Sequence, residues 1–360
     1  MGYDVQRAEA FANRLVESLN NGALCLMVSV GHRTGLFDAL AGLGPATSPE
    51  IAEAAGLDER YVREWLGAMV TGGVVDFDPE SDRFTLPPEH AACLSRQAPA
   101  ENIAVFAQYV PLLGAVEEDI VTCFREGGGV PYDRYPRFHA VMAEDSGQTV
   151  LSSLFDHILP LAPELPRRLE AGIRVLDLGC GSGRAVNRMA ARYPRSTFLG
   201  YDLSEEAIGA ARAEAEQRGL ANAAFAVRDL SGFDRDAEPE GFDLVTTFDA
   251  VHDQARPLAL LKGIHRSLHP DGVYLMQDIH STGQVHGNRD HPLGTLLYTI
   301  SCMHCMTVSL AQEGEGLGAM WGREKAREYL REAGFGSVTI ERLPHDIQND
   351  YYIVRKRAAA

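Results

Sequence analysis

Short apolar runs alternate with helical patterns along residues 170–360, and this alternation is the clearest pattern in the chain. Five apolar runs predict strands, at 173–178, 197–201, 223–227, 242–248 and 272–278. Helical patterns separate them, at 184–193, 204–218 and 256–268. Strands that alternate with helices favour a parallel sheet. Two later runs, 337–343 and 351–355, follow a predicted helix at 323–333 and are close enough in sequence to pair antiparallel.

The first 95 residues carry helical patterns that end in a short hairpin. Residues 3–41 predict two helices, Tyr3–Leu19 and Ala23–Leu40, and the second is apolar nearly all round, which indicates burial in a core or against a partner subunit. A capped helix stopped by Gly56, a second helix capped by Asp58 and two short strands follow. This order predicts a winged helix-turn-helix.

Residues 96–169 are mostly helical, with a break at Gly127-Gly128-Gly129 and an aromatic and polar block at 132–138. Two interpretations are equally compatible with this pattern. The segment covers a ligand and lines a cleft, or it forms a packing layer between domains. The predicted organisation is therefore a winged-helix-like domain at 1–95, a helical linker or lid at 96–169 and an α/β domain at 170–360, with an insertion at 280–322.

Composition narrows the choice of partners and compartment. The formal net charge of −17 argues against a general nucleic-acid binder, because phosphate contacts need a basic face. The N-terminus has no apolar signal segment, and the apolar stretch at 103–116 is too short and too interrupted to span a bilayer. Six scattered cysteines suggest no disulfide framework. We expect a cytoplasmic protein with no membrane and no nucleic-acid partner.

The loop after the first predicted strand indicates a nucleotide-like ligand. Its glycines stand at alternate positions in 179–183, which allows tight turns and close approach of a ligand, and the N-terminus of the next helix adds unpaired N–H groups. The spacing differs from a dinucleotide fingerprint, because Arg184 stands where the third glycine would fall. Asp177 would repel a pyrophosphate but favours a cationic amino-acid group. Asp202 suits ribose hydroxyls, and Asp229 suits an adenine amino group.

At these residues the chain resembles a class I S-adenosylmethionine-dependent methyltransferase. The matching stretches are VLDLGCGSG at 175–183, YDLS at 201–204, RDL at 228–230, the run 242–248 into Asp249, and LHPDGVYLM at 268–276. The resemblance implies a Rossmann-like α/β sheet, mostly parallel with one terminal antiparallel strand, and S-adenosylmethionine as cofactor, with S-adenosylhomocysteine as product. It implies cofactor contacts from Asp177, Gly179, Gly181, Asp202, Leu203, Asp229, Leu230, Phe248 and Asp249. Many small-molecule methyltransferases of this kind carry a winged-helix-like domain used for dimerisation, which implies a homodimer.

The sequence 248–254 resembles a subgroup of winged-helix methyltransferases, including mycobacterial members, that carries His-Asp-Gln after the fourth strand. A hydroxyl or thiol acceptor needs its proton removed, and a placed base contributes about 10²–10⁴-fold to the rate. His252 is the candidate base and Asp253 a possible orienting carboxylate. The alternative is that both residues merely cap the helix that begins near Arg256.

The insertion at 280–322 contains several histidines together with Cys302 and Cys305. These residues lack the regular ligand spacing of a zinc site, so no metal is expected, and a redox dithiol is less favoured still. A helix at 293–310 would place soft Met and Cys side chains on neighbouring stripes, which suit the wall of an apolar pocket. With His252, the predicted substrate-pocket residues are Tyr298, Cys302, Met303, Cys305, Met306 and Trp321.

The leading hypothesis is an enzyme of EC 2.1.1 type that transfers a methyl group to an O, S or N atom of a small, largely apolar molecule of secondary metabolism. The candidate base favours oxygen or sulfur. A ligand-sensing winged-helix transcription regulator is the alternative, against which the charge and the nearly neutral second helix of the helix-turn-helix count. A cofactor-binding protein without transferase activity is the third possibility.

Overall fold

The computed structural model describes residues 2–97 and 102–357, and it divides into two compact units between Gly114 and Ala115. The boundary differs from the predicted domains, because 102–114 belong to the first unit and 115–169 to the second. The reason is that the short helices before residue 114 pack on the first long helix of the chain. Residues 98–101, inside the predicted linker, lie outside the described residues.

The first unit is helical apart from one hairpin. Its elements are α1 (Val5–Thr34), α2 (Leu36–Gly42), α3 (Ser48–Ala55), α4 (Glu59–Thr71), β1 (Asp76–Asp78), β2 (Arg83–Thr85), α5 (Pro88–Leu94), α6 (Ala104–Ala107) and α7 (Tyr109–Gly114). Thr47 and Glu50 form a capping box that starts α3, and Asp58 accepts from the first N–H groups of α4. These caps and the antiparallel β1–β2 pair build the predicted winged helix-turn-helix.

Helix α1 is where the structure departs from the predicted first elements. It runs without interruption through residues 20–22, so the predicted pair of helices is one helix of 30 residues. The chain breaks instead at Gly35, whose φ of 77° lies in the left-handed region that ends helices. Asn20, Asn21 and Gly22 are weak helix formers, but a low local propensity does not by itself end a helix.

The second unit is built on a seven-stranded sheet in the order β5-β4-β3-β6-β7-β9-β8. The strands are β3 (Arg174–Leu178), β4 (Thr197–Asp202), β5 (Ala223–Val227), β6 (Phe242–Phe248), β7 (Leu268–Ile279), β8 (Ser337–Glu341) and β9 (Asn349–Arg355). Strands β3 to β7 pair in parallel, and β9 pairs antiparallel with both β7 and β8. The predicted mostly parallel sheet with an antiparallel last strand is confirmed.

Helices cover both faces of this sheet. They are α8 (Glu117–Glu126), α9 (Phe138–Ser146), α10 (Leu165–Ala171), α11 (Arg184–Arg192), α12 (Glu205–Gln217), α13 (Phe233–Asp236), α14 (Pro257–Ser267), α15 (Gly294–Ile300), α16 (Met306–Ala311) and α17 (Gly322–Glu332). One core contains side chains of α10, α11 and α12, and the other contains side chains of α13, α14 and α17. The carboxyl ends of β3 to β7 therefore meet at one edge, where ligands bind in such sheets.

A nearly continuous helical segment, 294–311, stands beside that edge and contains a π-helical turn at Ser301–Cys305. Its length and composition alone would allow it to cross a membrane. Part of its apolar surface is buried inside the second unit, including the side chains of Leu297, Cys305 and Val308. The segment is also hydrogen-bonded there, since Tyr135 donates to the carbonyl of Met303 and Ser309 donates to the carbonyl of Gln254. Irregular π turns of this kind are frequent at functional sites.

Candidate active site

The loop that follows β3 forms the floor of the site. Gly179 has a φ of 70°, and a Cβ there would lie 2.5 Å from the Cβ of Ala250. Gly183 also has a left-handed φ, and a Cβ there would strike the ring of Phe225. Both positions therefore require glycine for backbone conformation and for space. The loop is pinned to β4, because the carbonyl of Tyr201 accepts from the N–H groups of Gly179 and Cys180.

A cavity of about 530 Å³ opens above this loop, and we name it the glycine-loop cavity. The nine predicted cofactor residues all line it: Asp177, Gly179, Gly181, Asp202, Leu203, Asp229, Leu230, Phe248 and Asp249. Sheet order explains their convergence, since the carboxyl ends of β5, β4, β3 and β6 are successive neighbours. Contact with a cofactor stays a prediction for each of the nine.

Acidic side chains dominate the charge of the glycine-loop cavity. Asp202 accepts from the N–H of Gly181 through Oδ2 at 2.8 Å and from the N–H of Ser204 through Oδ1 at 2.9 Å, which fixes its carboxylate against the loop. Asp229 accepts from the N–H of Ser231 at 2.8 Å. These bonds leave further lone pairs for ligand hydroxyl or amino groups.

Asp177 lies deepest among the acids of β3 and β4. It is the register partner of Thr246 on β6, so the two side chains share a face of the sheet, and the Thr246 hydroxyl donates to Asp177 Oδ1 at 2.7 Å. Burial, with a contribution from Asp202, raises the pKa of Asp177 to about 7. A cation beside this group would restore the charged form.

His252 is buried and held by a carboxylate that the sequence argument did not identify. Its Nδ1 lies 2.8 Å from Oδ1 of Asp278, at the end of β7, and the same oxygen accepts from the indole N–H of Trp321 at 3.0 Å. Asp278 is fully buried. Burial opposes protonation of His252, but the Asp278 carboxylate outweighs it and raises the pKa of the imidazole well above its ordinary value.

Asp253 as the orienting carboxylate is therefore wrong. Its Oδ2 accepts from the Tyr132 hydroxyl at 2.7 Å, and its side chain lines the glycine-loop cavity. Asp253 and His252 are adjacent on a turn, and their side chains point in different directions. Asp253 therefore faces Tyr132, while His252 faces Asp278. The signal for Asp278 was present, because it ends the fifth parallel strand just as the other acids end theirs.

The predicted substrate-pocket residues do not gather around one cavity. Cys302 and Met306 share a helix face, as residues four apart do, and line a second cavity of about 550 Å³, which we name the α8 cavity. Burial raises the pKa of the Cys305 thiol and His252 opposes this effect, so the two side chains are neighbours. Asn288 donates to the Tyr298 hydroxyl, while Met303 and Trp321 make the contacts with Tyr135 and Asp278 given above. The described lining of the glycine-loop cavity includes neither these six residues nor His252.

The aromatic block at 132–138 lies on the cavity instead. Tyr132, Tyr135 and Phe138 line it, and all three rings pack on His304, with Phe138 stacked at a centroid distance of 4.2 Å. Burial lowers the pKa of His304 to about 3, so this imidazole stays neutral and extends an aromatic wall. Of the two interpretations of this segment, the structure favours the cleft lining.

Among the described residues, one group of side chains has ligand atoms close enough together to hold a metal ion. Atoms of Asp249, His252 and Asp278 all lie within 4.8 Å of one another, although His252 and Asp278 are already hydrogen-bonded. Carboxylate and imidazole ligands suit several divalent ions. The expectation of no metal therefore requires a chelator control in any binding test.

Two family models match the chain in separate regions. Residues 22–96 match the Rv2258c-like winged HTH domain, and residues 169–334 match the Methyltransferase domain. An uncharacterized methyltransferase of Synechocystis sp. is 32% identical over 149 residues, which cover 41% of this chain and 65% of that protein. A ubiquinone biosynthesis O-methyltransferase of Neisseria meningitidis is 32% identical over 112 residues, covering 30% of this chain and 44% of the relative. The chain thus spans less than two thirds of these relatives.

Solved structures resemble the chain over almost its whole length. The mitomycin 7-O-methyltransferase MmcR aligns with a TM-score of 0.66 at 19% identity, covering 97% of this chain and 99% of that one. Human N-acetylserotonin methyltransferase, solved in complex with SAM, aligns with a TM-score of 0.63 at 18% identity, covering 96% and 98%. At such identities the likeness shows the fold.

Proposed function

We propose that this chain, a member of the S-adenosylmethionine-dependent methyltransferases with an N-terminal Rv2258c-like winged helix-turn-helix domain, methylates an oxygen atom of a small, largely apolar molecule. The observation that carries the proposal is the buried His252–Asp278 pair beside an acidic glycine-loop cavity. Two similar proteins, the mitomycin 7-O-methyltransferase and the ubiquinone biosynthesis O-methyltransferase, have oxygen acceptors in their names.

The glycine-loop cavity fits the cofactor in charge. S-adenosylmethionine, when bound, supplies a methyl group already activated on a cationic sulfur. The cofactor also carries an ammonium group, and the lining acids Asp177, Asp202 and Asp249 complement two positive charges. Oδ1 of Asp249 is buried without a hydrogen-bond partner among the described residues, which marks a place for a positive or hydrogen-donating group.

His252 supports an acceptor that must lose a proton. Asp278 engages Nδ1, so Nε2 is the nitrogen available to accept the hydroxyl proton as the acceptor oxygen attacks the methyl carbon. The carboxylate stabilises the imidazolium that results. Cys305 contacts His252 from the helical segment 294–311, and this segment is therefore next to the acceptor.

A transfer assay with a labelled methyl group tests the function directly. Wild-type protein is incubated with labelled S-adenosylmethionine and a library of phenols, other hydroxyl compounds and thiols. We expect transfer to a hydroxyl compound, and His252→Ala to slow it by about 10²-fold or more while binding the cofactor normally in calorimetry. Transfer to thiols alone would overturn the oxygen assignment. An absence of transfer to every acceptor would favour a cofactor-binding protein without transferase activity.

The exposed side of α1 supports a homodimer. Large apolar side chains are exposed along this helix, whose length of 30 residues is about 45 Å. They include Phe11, Leu15, Val16 and Leu19, and Leu19 is 73% exposed. Exposed apolar patches of this size mark interaction surfaces. We expect a second copy of α1 to cover these exposed apolar side chains. It matches them in length and apolar character, because it carries the same residues at the same spacing.

The winged helix-turn-helix offers little to DNA. The arginines of α4 form ion pairs with glutamates of the same helix, Arg60 with Glu64 at 3.1 Å and Arg63 with Glu59 at 2.9 Å. Paired cations leave the helix nearly neutral, and the chain as a whole is strongly acidic. A gel-shift titration at low and high salt would revive the transcription-regulator alternative if it showed tight, salt-sensitive binding.

A further inference from the structure

Asp249 is the most constrained acidic residue of the glycine-loop cavity. It follows β6 with a φ of 50°, in the left-handed region that non-glycine residues adopt uncommonly. Its N–H donates to the carbonyl of Gln277 at 3.0 Å, which holds the backbone in place. Its Oδ1 is buried and has no hydrogen-bond partner among the described residues. Strain and an unpaired buried carboxylate oxygen at one residue point to a ligand contact.

The charged groups around Asp249 are acidic with one exception. Asp278 on β7, Asp145 on α9 and Asp346 in the β8–β9 loop act on it, together with the imidazole of His252. His252 is already paired with Asp278. Burial first, and Asp278 second, raise the pKa of Asp249 well above its ordinary value. A cation at its side would favour the charged form of this carboxyl.

Sheet order assigns Asp249 to one end of the cofactor. Asp229 follows β5, Asp202 ends β4, the glycine loop follows β3 and Asp249 follows β6, with about 4.8 Å between neighbouring strands. If Asp229 and Asp202 take the base and the ribose, the methionine end lies over β3 and β6. Asp249 is also three residues from His252, where the acceptor loses its proton. The reacting sulfur must lie on that side.

We propose that the carboxylate of Asp249 faces the sulfonium of S-adenosylmethionine and discriminates this charged cofactor from its uncharged product, S-adenosylhomocysteine. The inference rests on the proposed function. A carboxylate attracts a sulfonium most strongly where water is excluded, and that attraction ends when methyl transfer neutralises the sulfur. Because the contact is stronger before the reaction than in the transition state, it serves cofactor loading and product exchange rather than the chemical step.

Calorimetry with three ligands tests the assignment: S-adenosylmethionine, S-adenosylhomocysteine and sinefungin, which carries an ammonium in place of the sulfonium. For Asp249→Asn we expect about tenfold weaker binding of the two charged ligands and nearly unchanged binding of S-adenosylhomocysteine. KM for the cofactor should rise, while kcat should not fall.

Two further variants act as controls. Asp229→Asn removes a carboxylate on the adenine side of the same cavity and should weaken both cofactor and product by the same factor. Asp249→Gly removes the carboxylate while suiting the left-handed backbone, so it should lose the discrimination without losing thermal stability. Binding of S-adenosylhomocysteine by each variant reports that the site is folded.

The outcomes separate the inference from the function. Equal losses for cofactor and product in Asp249→Asn would overturn the inference, because Asp249 would then contact the ammonium that both ligands share. Failure of wild type to bind either ligand would overturn the proposed function instead. The titrations are repeated with EDTA-treated protein, and a preference for S-adenosylmethionine that disappears with the chelator would also overturn the inference, in favour of a metal ion.

Discussion

The contact between His252 and Asp278 makes a specific prediction about pH at the residue scale. Because Asp278 raises the pKa of His252, kcat should rise as the pH rises through that raised pKa. Asp278→Asn should lower the pKa of His252, so the rise of kcat should occur at lower pH. The maximal kcat should also fall by about 10²-fold or more. A pH–rate profile of both proteins measures the shift.

Asp253→Asn is the matched control for this prediction. It removes a carboxylate one residue from His252 that is bonded to Tyr132 instead. Its pH–rate limb should stay close to that of wild type. If the rise of kcat with pH moved to a different pH in Asp253→Asn but stayed in place in Asp278→Asn, Asp253 would be the orienting group.

Asp202 gives a second residue-scale prediction. Its carboxylate holds Gly181 and Ser204 and has lone pairs left for ribose hydroxyls. Asp202→Ala should weaken cofactor binding by about 1.5–3 kcal/mol, the usual contribution of hydrogen bonds to a charged group. Calorimetry measures this loss, and Glu205→Ala, an exposed neighbour on α12, should leave affinity unchanged. Wild-type affinity in Asp202→Ala would remove Asp202 from the cofactor site.

The sequence was sufficient to place the acids at strand ends but not to pair side chains. Asp177, Asp202, Asp229 and Asp249 follow apolar runs, so their gathering at one sheet edge follows from parallel topology. The partner of His252 depends on which strand neighbours which turn, and that is a tertiary property. Asp278 lies 26 residues from His252 along the chain, whereas Asp253 is adjacent, which favoured the wrong partner.

At the scale of elements, the segment before α9 is fastened to the helical segment 294–311. The N–H of Val130 donates to the Thr307 hydroxyl at 2.8 Å. A Cβ at Gly129 would lie 2.0 Å from the Thr307 carbonyl oxygen and 2.3 Å from the Ala311 nitrogen. Both are backbone atoms, which cannot move away by a change of rotamer as a side chain can. The close contact at position 129 therefore requires glycine.

Gly129→Ala should therefore displace the aromatic wall from the cavity. We expect a loss of about 1–3 kcal/mol in the free energy of unfolding, as for overpacked sites. Thermal and urea unfolding measure it, with Gly209→Ala as control, since Gly209 is exposed on α12 and a Cβ there meets nothing within 4 Å. An unchanged stability of Gly129→Ala would show that this segment does not pack closely on the helix in solution.

Strands were predictable to within a few residues because buried parallel strands are continuous apolar runs bounded by turns. The predicted run at 242–248 is β6 without correction, while β7 begins at Leu268 rather than at 272. Helix continuity was less predictable, as α1 shows. The orientation of the 294–311 side chains was also missed, because its π turn shifts the facing of residues such as Cys305 relative to a regular helix.

At the scale of the whole molecule, the exposed stripe of α1 predicts a stable dimer. Size-exclusion chromatography with light scattering should give twice the chain mass of 39.2 kDa. Leu15→Glu combined with Leu19→Glu places charges on the stripe and should yield monomers of normal helix content. The paired control Glu9→Ala and Glu17→Ala should remain dimeric. A wild-type monomer at micromolar concentration would refute the assembly.

The two family matches agree with the predicted winged-helix and methyltransferase regions of the chain. They cover separate regions and leave the acceptor undefined. That limit has a physical origin, since we expect the choice of acceptor to depend on the shape between the 132–138 block and the insertion, two segments that come together only in the folded chain. The proposed cofactor site, in contrast, was predictable because it is built from the glycine loop and the strand ends, which are short local motifs in the sequence.

The indole of Trp321 donates its hydrogen bond to the carboxylate that holds His252, and the chain contains one other tryptophan, Trp65. An indole so placed is an optical reporter, since its emission responds to the charge a few ångströms away. Excitation near the red edge of tryptophan absorption would then follow protonation of the His252–Asp278 pair in real time, without a label and before any acceptor has been identified.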